Sequence, residues 1–110
     1  MSDIINYEQF LQMDLRVGKV VSVEKVENAD KLLKLMIDLG EETPRQLVAG
    51  IALQYTLEQL VGKDMVVLAN LEPKTIRGVE SRGMILAATV DGAPVLLTTE
   101  KPVPAGSKIK

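Results

Sequence analysis

Apolar and polar positions alternate over two stretches of the chain. Leu15, Val17, Val21 and Val23 alternate with Arg16, Ser22 and Glu24, and Leu33, Leu35, Ile37 and Leu39 with Lys34, Met36 and Asp38. A period of two is that of half-buried strands. Residues 41–45, with Pro44, read as a turn into a strand at 46–51. Residues 65–71 and 84–90 are continuous apolar runs short enough to be buried strands. Asp91-Gly92 signals a hairpin and leads to a further apolar run at 95–97, and Pro102 and Pro104 end regular structure near the C-terminus.

Two short helices are marked by their caps. Asn6 with Gln9 three residues on makes a capping box, with Ile5 and Phe10 placed as a hydrophobic staple, and predicts a helix over 7–13. Thr56 with Gln59, flanked by Tyr55 and Leu60, repeats the arrangement, and Gly62 suits the left-handed position that ends the second helix. Tyr7, Phe10 and Tyr55 read as packing residues. Many short strands with a helix between the third and fourth predict an all-β fold, a five-stranded OB barrel. Its ligand-binding loops would be residues 27–30 and 72–83. The run at 95–97 is left over as a C-terminal extension whose apolar face and open edge a second copy would cover, so a homodimer is expected.

Composition removes whole classes of chemistry. The 110 residues fit one domain, 1–110. The sequence has no cysteine and no histidine, so disulfides, Cys/His zinc sites and His-based nucleophilic catalysis are excluded. No metal, cofactor or catalytic residue is expected, and no carboxylate pair or phosphate-binding glycine loop stands out. No signal peptide and no apolar stretch of about 18 residues occurs, so no membrane is expected and the default location is the cytoplasm. Thirteen basic against fifteen acidic residues give a net charge of −2, so any nucleic acid must be held by a local patch. Three aromatic residues in all cannot build a base-stacking platform.

Candidate chemistry concentrates in residues 72–83. Lys74, Arg77 and Arg82 lie close together, with Glu80 among them and Gly78 and Gly83 allowing close backbone approach. From the residues alone two readings stand: solvated loop charges, or a patch in which Lys74 and Arg77 each neutralise a phosphate. The earlier loop adds Asn28, whose amide both donates and accepts, with Lys31 and Lys34 beyond it.

Five segments carry a resemblance. Asp14-Leu-Arg-Val-Gly-Lys-Val20, Asn28-Ala-Asp-Lys-Leu32, Leu47-Val-Ala-Gly-Ile51, Ala69-Asn-Leu-Glu-Pro73 and above all Ile76-Arg-Gly-Val-Glu-Ser-Arg-Gly-Met84 resemble the tRNA-binding domain family. Its members form the C-terminus or beta subunit of methionyl-tRNA synthetases, or stand free as tRNA-binding proteins. The resemblance implies an OB barrel with a dimerising C-terminal extension. It implies a non-catalytic module that binds tRNA by shape, in trans or appended to methionyl-tRNA synthetase. It further implies that Asn28, Lys31, Lys34, Lys74, Arg77, Ser81 and Met84 face the RNA: the cations on phosphates, Asn28 and Ser81 on sugar or base edges, and Met84 as an apolar contact. Many relatives carry a histidine-proline pair before the asparagine. Here Val26 and Glu27 stand there, and Glu27 sets a negative charge beside Asn28. A related family of dimeric export chaperones shares the barrel but binds peptides. It is the alternative reading, and it predicts an apolar groove in place of a basic loop.

Overall fold

A computed structural model describes residues 3–110. The elements are α1 (Tyr7–Leu11), β1 (Leu15–Val26), β2 (Ala29–Asp38), β3 (Arg45–Ala49), α2 (Leu57–Leu60), β4 (Asp64–Leu68), β5 (Lys74–Ile76), β6 (Val79–Ser81), β7 (Met84–Ile85), β8 (Ala87–Val90), β9 (Ala93–Leu96) and β10 (Lys108–Ile109). The fold is mainly β, as the alternation predicts. Both capping boxes form, Asn6 with Gln9 and Thr56 with Gln59. The second helix buries Leu60, whereas α1 buries none of its residues and ends at Leu11, short of the expected 13.

Strand β1 is central. Its first half lies between β4 and β10, with Leu15 opposite both Leu68 and Ile109, and its second half pairs with β2. The hydrogen-bonded path runs β3–β2–β1–β4–β7. The core gathers the inward residues of these strands, with Leu33, Leu35, Ile37, Leu39, Leu47, Met65 and Val67 at its centre and Leu60 of α2 beside them. Gly18 sits against this core. A Cβ there would fall onto Ile37 and lie 2.9 Å from Leu39 and 3.2 Å from Val67. Only the missing side chain lets β1 pass between β2 and β4 at this depth.

Several expectations are corrected. The β1 alternation does not continue through Val21: the register shifts between Val20 and Ser22, so Val20 is buried and Val21 is 49% exposed. An added residue in one strand turns the following side chains to the other face. Residues 84–90 are not one strand. The Leu86 N–H donates to Val66 O at 2.9 Å, while Leu86 O accepts from Leu97 N–H at 3.4 Å, so the chain changes partners there from β4 to β9. The strand expected over 65–71 ends at Leu68; Ala69 N–H donates to Asp14 O at 2.8 Å. Regular structure does not end at Pro104, because β10 follows and pairs with Leu15 and Arg16.

The expected five-stranded OB barrel is an open path in hydrogen-bonding terms. Its ends are β3 and β7, and β3 lies beside both β7 and the β6 segment that precedes it. The main-chain hydrogen bond between them is Arg82 N–H to Gln46 O, at 3.0 Å. Side chains supply the other links.

At the opposite end, Asp14 binds β10 to β1. Its carboxylate accepts from Arg16 Nε at 3.0 Å, from Arg16 Nη2 at 2.7 Å and from Lys108 Nζ at 2.8 Å. The hydrogen bond from Arg16, then that from Lys108, holds this carboxyl well below the usual carboxylate range. A depressed folded-state pKa adds stability that is present above the unfolded value near 3.8 and lost as pH falls through the folded value. We expect Asp14→Asn to lower unfolding free energy by about 1–3 kcal/mol at neutral pH. Urea titrations should show the deficit shrinking as pH falls from about 5 to about 2, where the carboxyl of the unfolded wild-type chain protonates while that of the folded one stays ionised. A deficit that stays constant over that range would contradict the assignment.

Candidate nucleic-acid interface

Residues 72–83, expected as a loop, contain a two-stranded hairpin. β5 and β6 pair as Lys74↔Ser81, Thr75↔Glu80 and Ile76↔Val79, leaving Arg77-Gly78 as the turn. Arg77 has φ 52° and Gly78 φ 79°. Positive φ at both positions marks the tight turn that follows strand twist, for which Asn-Gly and Asp-Gly are the usual residues. The chain supplies its own comparison. The β8–β9 hairpin turns on Asp91-Gly92 with the same φ values, 52° and 79°. Both turns have one backbone shape, yet β5–β6 places arginine where a short polar residue is better tolerated. Among the described residues Arg77 makes no side-chain hydrogen bond or ion pair, and it is exposed. Glu80, three residues on, is not paired with Arg77.

The β1–β2 turn lies opposite. Asn28 has φ 61°, and Val26 pairs with Ala29 across it. Asn28, Lys31 and Arg77 together line a depression of about 450 Å³, with Asp30, Leu32 and Ile76. Two turns 49 residues apart in sequence (77 minus 28) thus form one surface. Ile76 also lines a neighbouring, mainly apolar depression of about 400 Å³ with Lys74, Met84, Leu71 and Val48. Met84 is 43% exposed at this second depression. Ile76 was not among the expected site residues; it ends the first strand of the hairpin, next to the Arg77-Gly78 turn.

Two expected site residues are placed otherwise. Lys34 lies on β2 beside Glu24, its Nζ 3.3 Å from the carboxylate, and lines neither depression. Ser81 is 5% exposed. Its Oγ accepts the Val48 N–H at 3.0 Å and donates to Gly83 O at 3.1 Å. The hydroxyl is spent inside the protein and has no free donor for a surface ligand. No group of three or more His, Cys, Asp or Glu among the described residues is arranged to hold a metal, and no helix there is long and apolar enough to cross a membrane.

Comparison with known proteins places the chain in a family. Residues 15–108 match the family model "Putative tRNA binding domain". The chain is 56% identical over 106 residues to a methionine–tRNA ligase of Methanocella arvoryzae, covering 96% of this chain and 15% of the ligase. It is 46% identical over 107 residues to that of Caldanaerobacter subterraneus, covering 97% of this chain and 17% of the ligase. The crystal structure of a MetRS-related protein from Pyrococcus horikoshii superposes with a TM-score of 0.91 at 35% identity, covering 99% of this chain and all of that one. The chaperone CsaA from Bacillus anthracis superposes at 0.88 with 34% identity, covering 98% of this chain and 100% of that one. The chain belongs to the tRNA-binding domain family, a non-catalytic module that in the ligases is a small part of a longer protein.

The left-handed backbone at Asn28 gives it a conformational role separate from any ligand. We expect Asn28→Ala to cost about 1 kcal/mol by thermal or urea unfolding, and Asn28→Gly to cost under about 0.5 kcal/mol. Asn28→Gly is therefore the variant that removes the amide and keeps the turn.

Proposed function

We propose that this chain binds folded tRNA without catalysis, as a single module over 1–110, in trans or appended to methionyl-tRNA synthetase in the cytoplasm. Arg77, Lys31 and Lys74 neutralise phosphates, Asn28 hydrogen-bonds sugar or base edges, and Met84 gives an apolar contact. Lys34 and Ser81, carried over by resemblance, fit this role less well, one paired to Glu24 and the other buried.

The observation that carries the reading is the unpaired arginine in a left-handed turn position. Backbone strain that serves no packing purpose is found at functional sites. Family membership supports tRNA as the ligand. The lack of stacking aromatics supports recognition of a folded RNA by backbone and shape.

Arg77→Asn tests the reading with two opposite effects. It should raise unfolding free energy by about 0.5–1 kcal/mol, because asparagine suits the turn, and should weaken tRNA binding. Lys74→Ala with Arg77→Ala should flatten the slope of log affinity against log salt by about 1.4–1.8, the loss of two phosphate contacts, and do so similarly for different tRNAs. An intact fold with unchanged affinity and slope would remove this surface from the proposal.

The peptide-binding alternative keeps one observation in its favour, the apolar depression beside Met84, together with the likeness to CsaA. It gives no reason for Arg77. Binding of unfolded peptide that survives Arg77→Asn, with no binding of tRNA by the wild type, would favour it.

The homodimer belongs to the same proposal. Val90 and Val95 on the β8–β9 hairpin and Leu97 after it are exposed apolar residues. Light scattering should give twice the 12.0 kDa chain mass at micromolar concentration, and Val95→Lys should give the single mass.

A further inference from the structure

Every hydrogen bond shown between the described residues of the β5–β6 hairpin and the rest of the fold leaves from its β6 side. Gln46 Nε2 donates to Glu80 O at 2.8 Å. Gln46 O accepts from Arg82 N–H at 3.0 Å, Val48 N–H donates to Ser81 Oγ at 3.0 Å, and Arg45 Nη1 donates to Arg82 O at 3.2 Å. The partners on the body side are on β3, apart from Gly83 O, which accepts from Ser81 Oγ just past the hairpin. The β5 edge, which carries Lys74, makes no such bond. The hairpin is therefore an arm hinged along one line, and its turn, with Arg77, is the far end.

We propose that Gln46 and Ser81 are positioning residues for RNA binding. They touch no RNA themselves but fix the angle at which the arm holds Arg77 across from Asn28 and Lys31. This rests on the tRNA reading above. The physical argument is one of leverage and entropy. A two-stranded hairpin is marginal by itself and needs packing or edge contacts to be ordered. Neutral hydrogen bonds at its hinge set how much order must be gained when a phosphate is engaged. Gln46 supplies two of these bonds, one through its side chain and one through its main chain, and lies on the partly exposed side of β3. Ser81 anchors the same strand from the buried side. The inference reassigns Ser81 from RNA contact to support of the RNA contact.

A double-substitution cycle separates the roles. Gln46→Ala removes the side-chain bond to an exposed carbonyl, so the fold should persist; Ser81→Ala, which leaves the Val48 N–H without its partner, serves as a second variant where stability allows. Gln46→Ala should weaken binding of tRNA about fivefold, the size of one lost neutral hydrogen bond. In the Arg77→Ala background the same substitution should weaken it less than about twofold, because the group being positioned is gone. Equal losses in both backgrounds would overturn the proposal, since they would come from general destabilisation or from a direct contact by Gln46. No loss in the wild-type background would overturn it as well. Hydrogen exchange of the free protein supplies a readout that needs no RNA. Gln46→Ala should speed exchange at the Ile76 and Val79 amides and leave Val67 and Leu35 unchanged; unchanged hairpin amides would refute the hinge. Wild-type protein that binds no tRNA, with hairpin exchange as expected, would mark failure of the tRNA reading and leave the hinge standing.

Discussion

Everything in this fold hangs from a strand that has to serve three neighbours. β1 shares its first half between β4 and β10 and its second half with β2. A flat strand cannot do this around one core. Two local features bend it: Gly18, which lets the side chains of Ile37, Leu39 and Val67 close over its backbone, and the irregularity after Val20, which turns the strand to its second partner. From that bend, β2 rises to present the Asn28 turn, and β4 continues towards the β5–β6 arm. The two turns of the candidate surface meet because β3, whose end pairs with β2 close to the Asn28 turn, also holds β6 of the arm.

That arrangement leaves a defect at the far side. The sheet path ends at β3 and β7, and no full ladder joins them. Open strand edges invite pairing with other chains. Here the edge of β3 is covered by β6 and Arg82, using a glutamine, a serine and an arginine where a regular sheet would use main chain alone. The covering element is then free to protrude. A laddered closure would have fixed residues 74–81 against the body and left no arm to hold Arg77 outward.

How much of this was legible in the sequence follows from the range of the forces involved. Local signals were read well. Both capping boxes, the Asp91-Gly92 turn and the inward set of β2 depend on residues within four positions of one another. What depended on distant partners was not. Val20 and Val21 are equally apolar, and only pairing with β2 decides which is buried. Ser81 resembles a turn residue until Val48 arrives beside it from 33 positions away. The β5–β6 hairpin was hidden for a different reason: its strands are three residues long and its turn has arginine where hairpin turns usually have asparagine or aspartate. The departure from local preference that hid the element is the feature that points to its use.

The same logic reconciles the proposed binding surface for a polyanion with a net charge of −2. Ion pairs take up cations at structural positions: Arg16 and Lys108 with Asp14, Lys19 with Asp64, Lys34 with Glu24, and Arg45 with Glu41. Lys31, Lys74, Arg77 and Arg82 enter none of these pairs among the described residues. Exposed pairs contribute little to stability, but each one cancels its own field beyond a few ångströms. At physiological salt, charges further than about 8 Å away are largely screened. A phosphate approaching the arm therefore responds to the unpaired cations in front of it and hardly to the acidic total behind. Asp30, which lines the same depression as Arg77, and Glu27, next to Asn28 in the chain, temper the field on their side. The attraction is consequently strongest at the tip of the β5–β6 hairpin. There the chain bears backbone strain to project an arginine, and the hydrogen bonds from β3 determine where that arginine points.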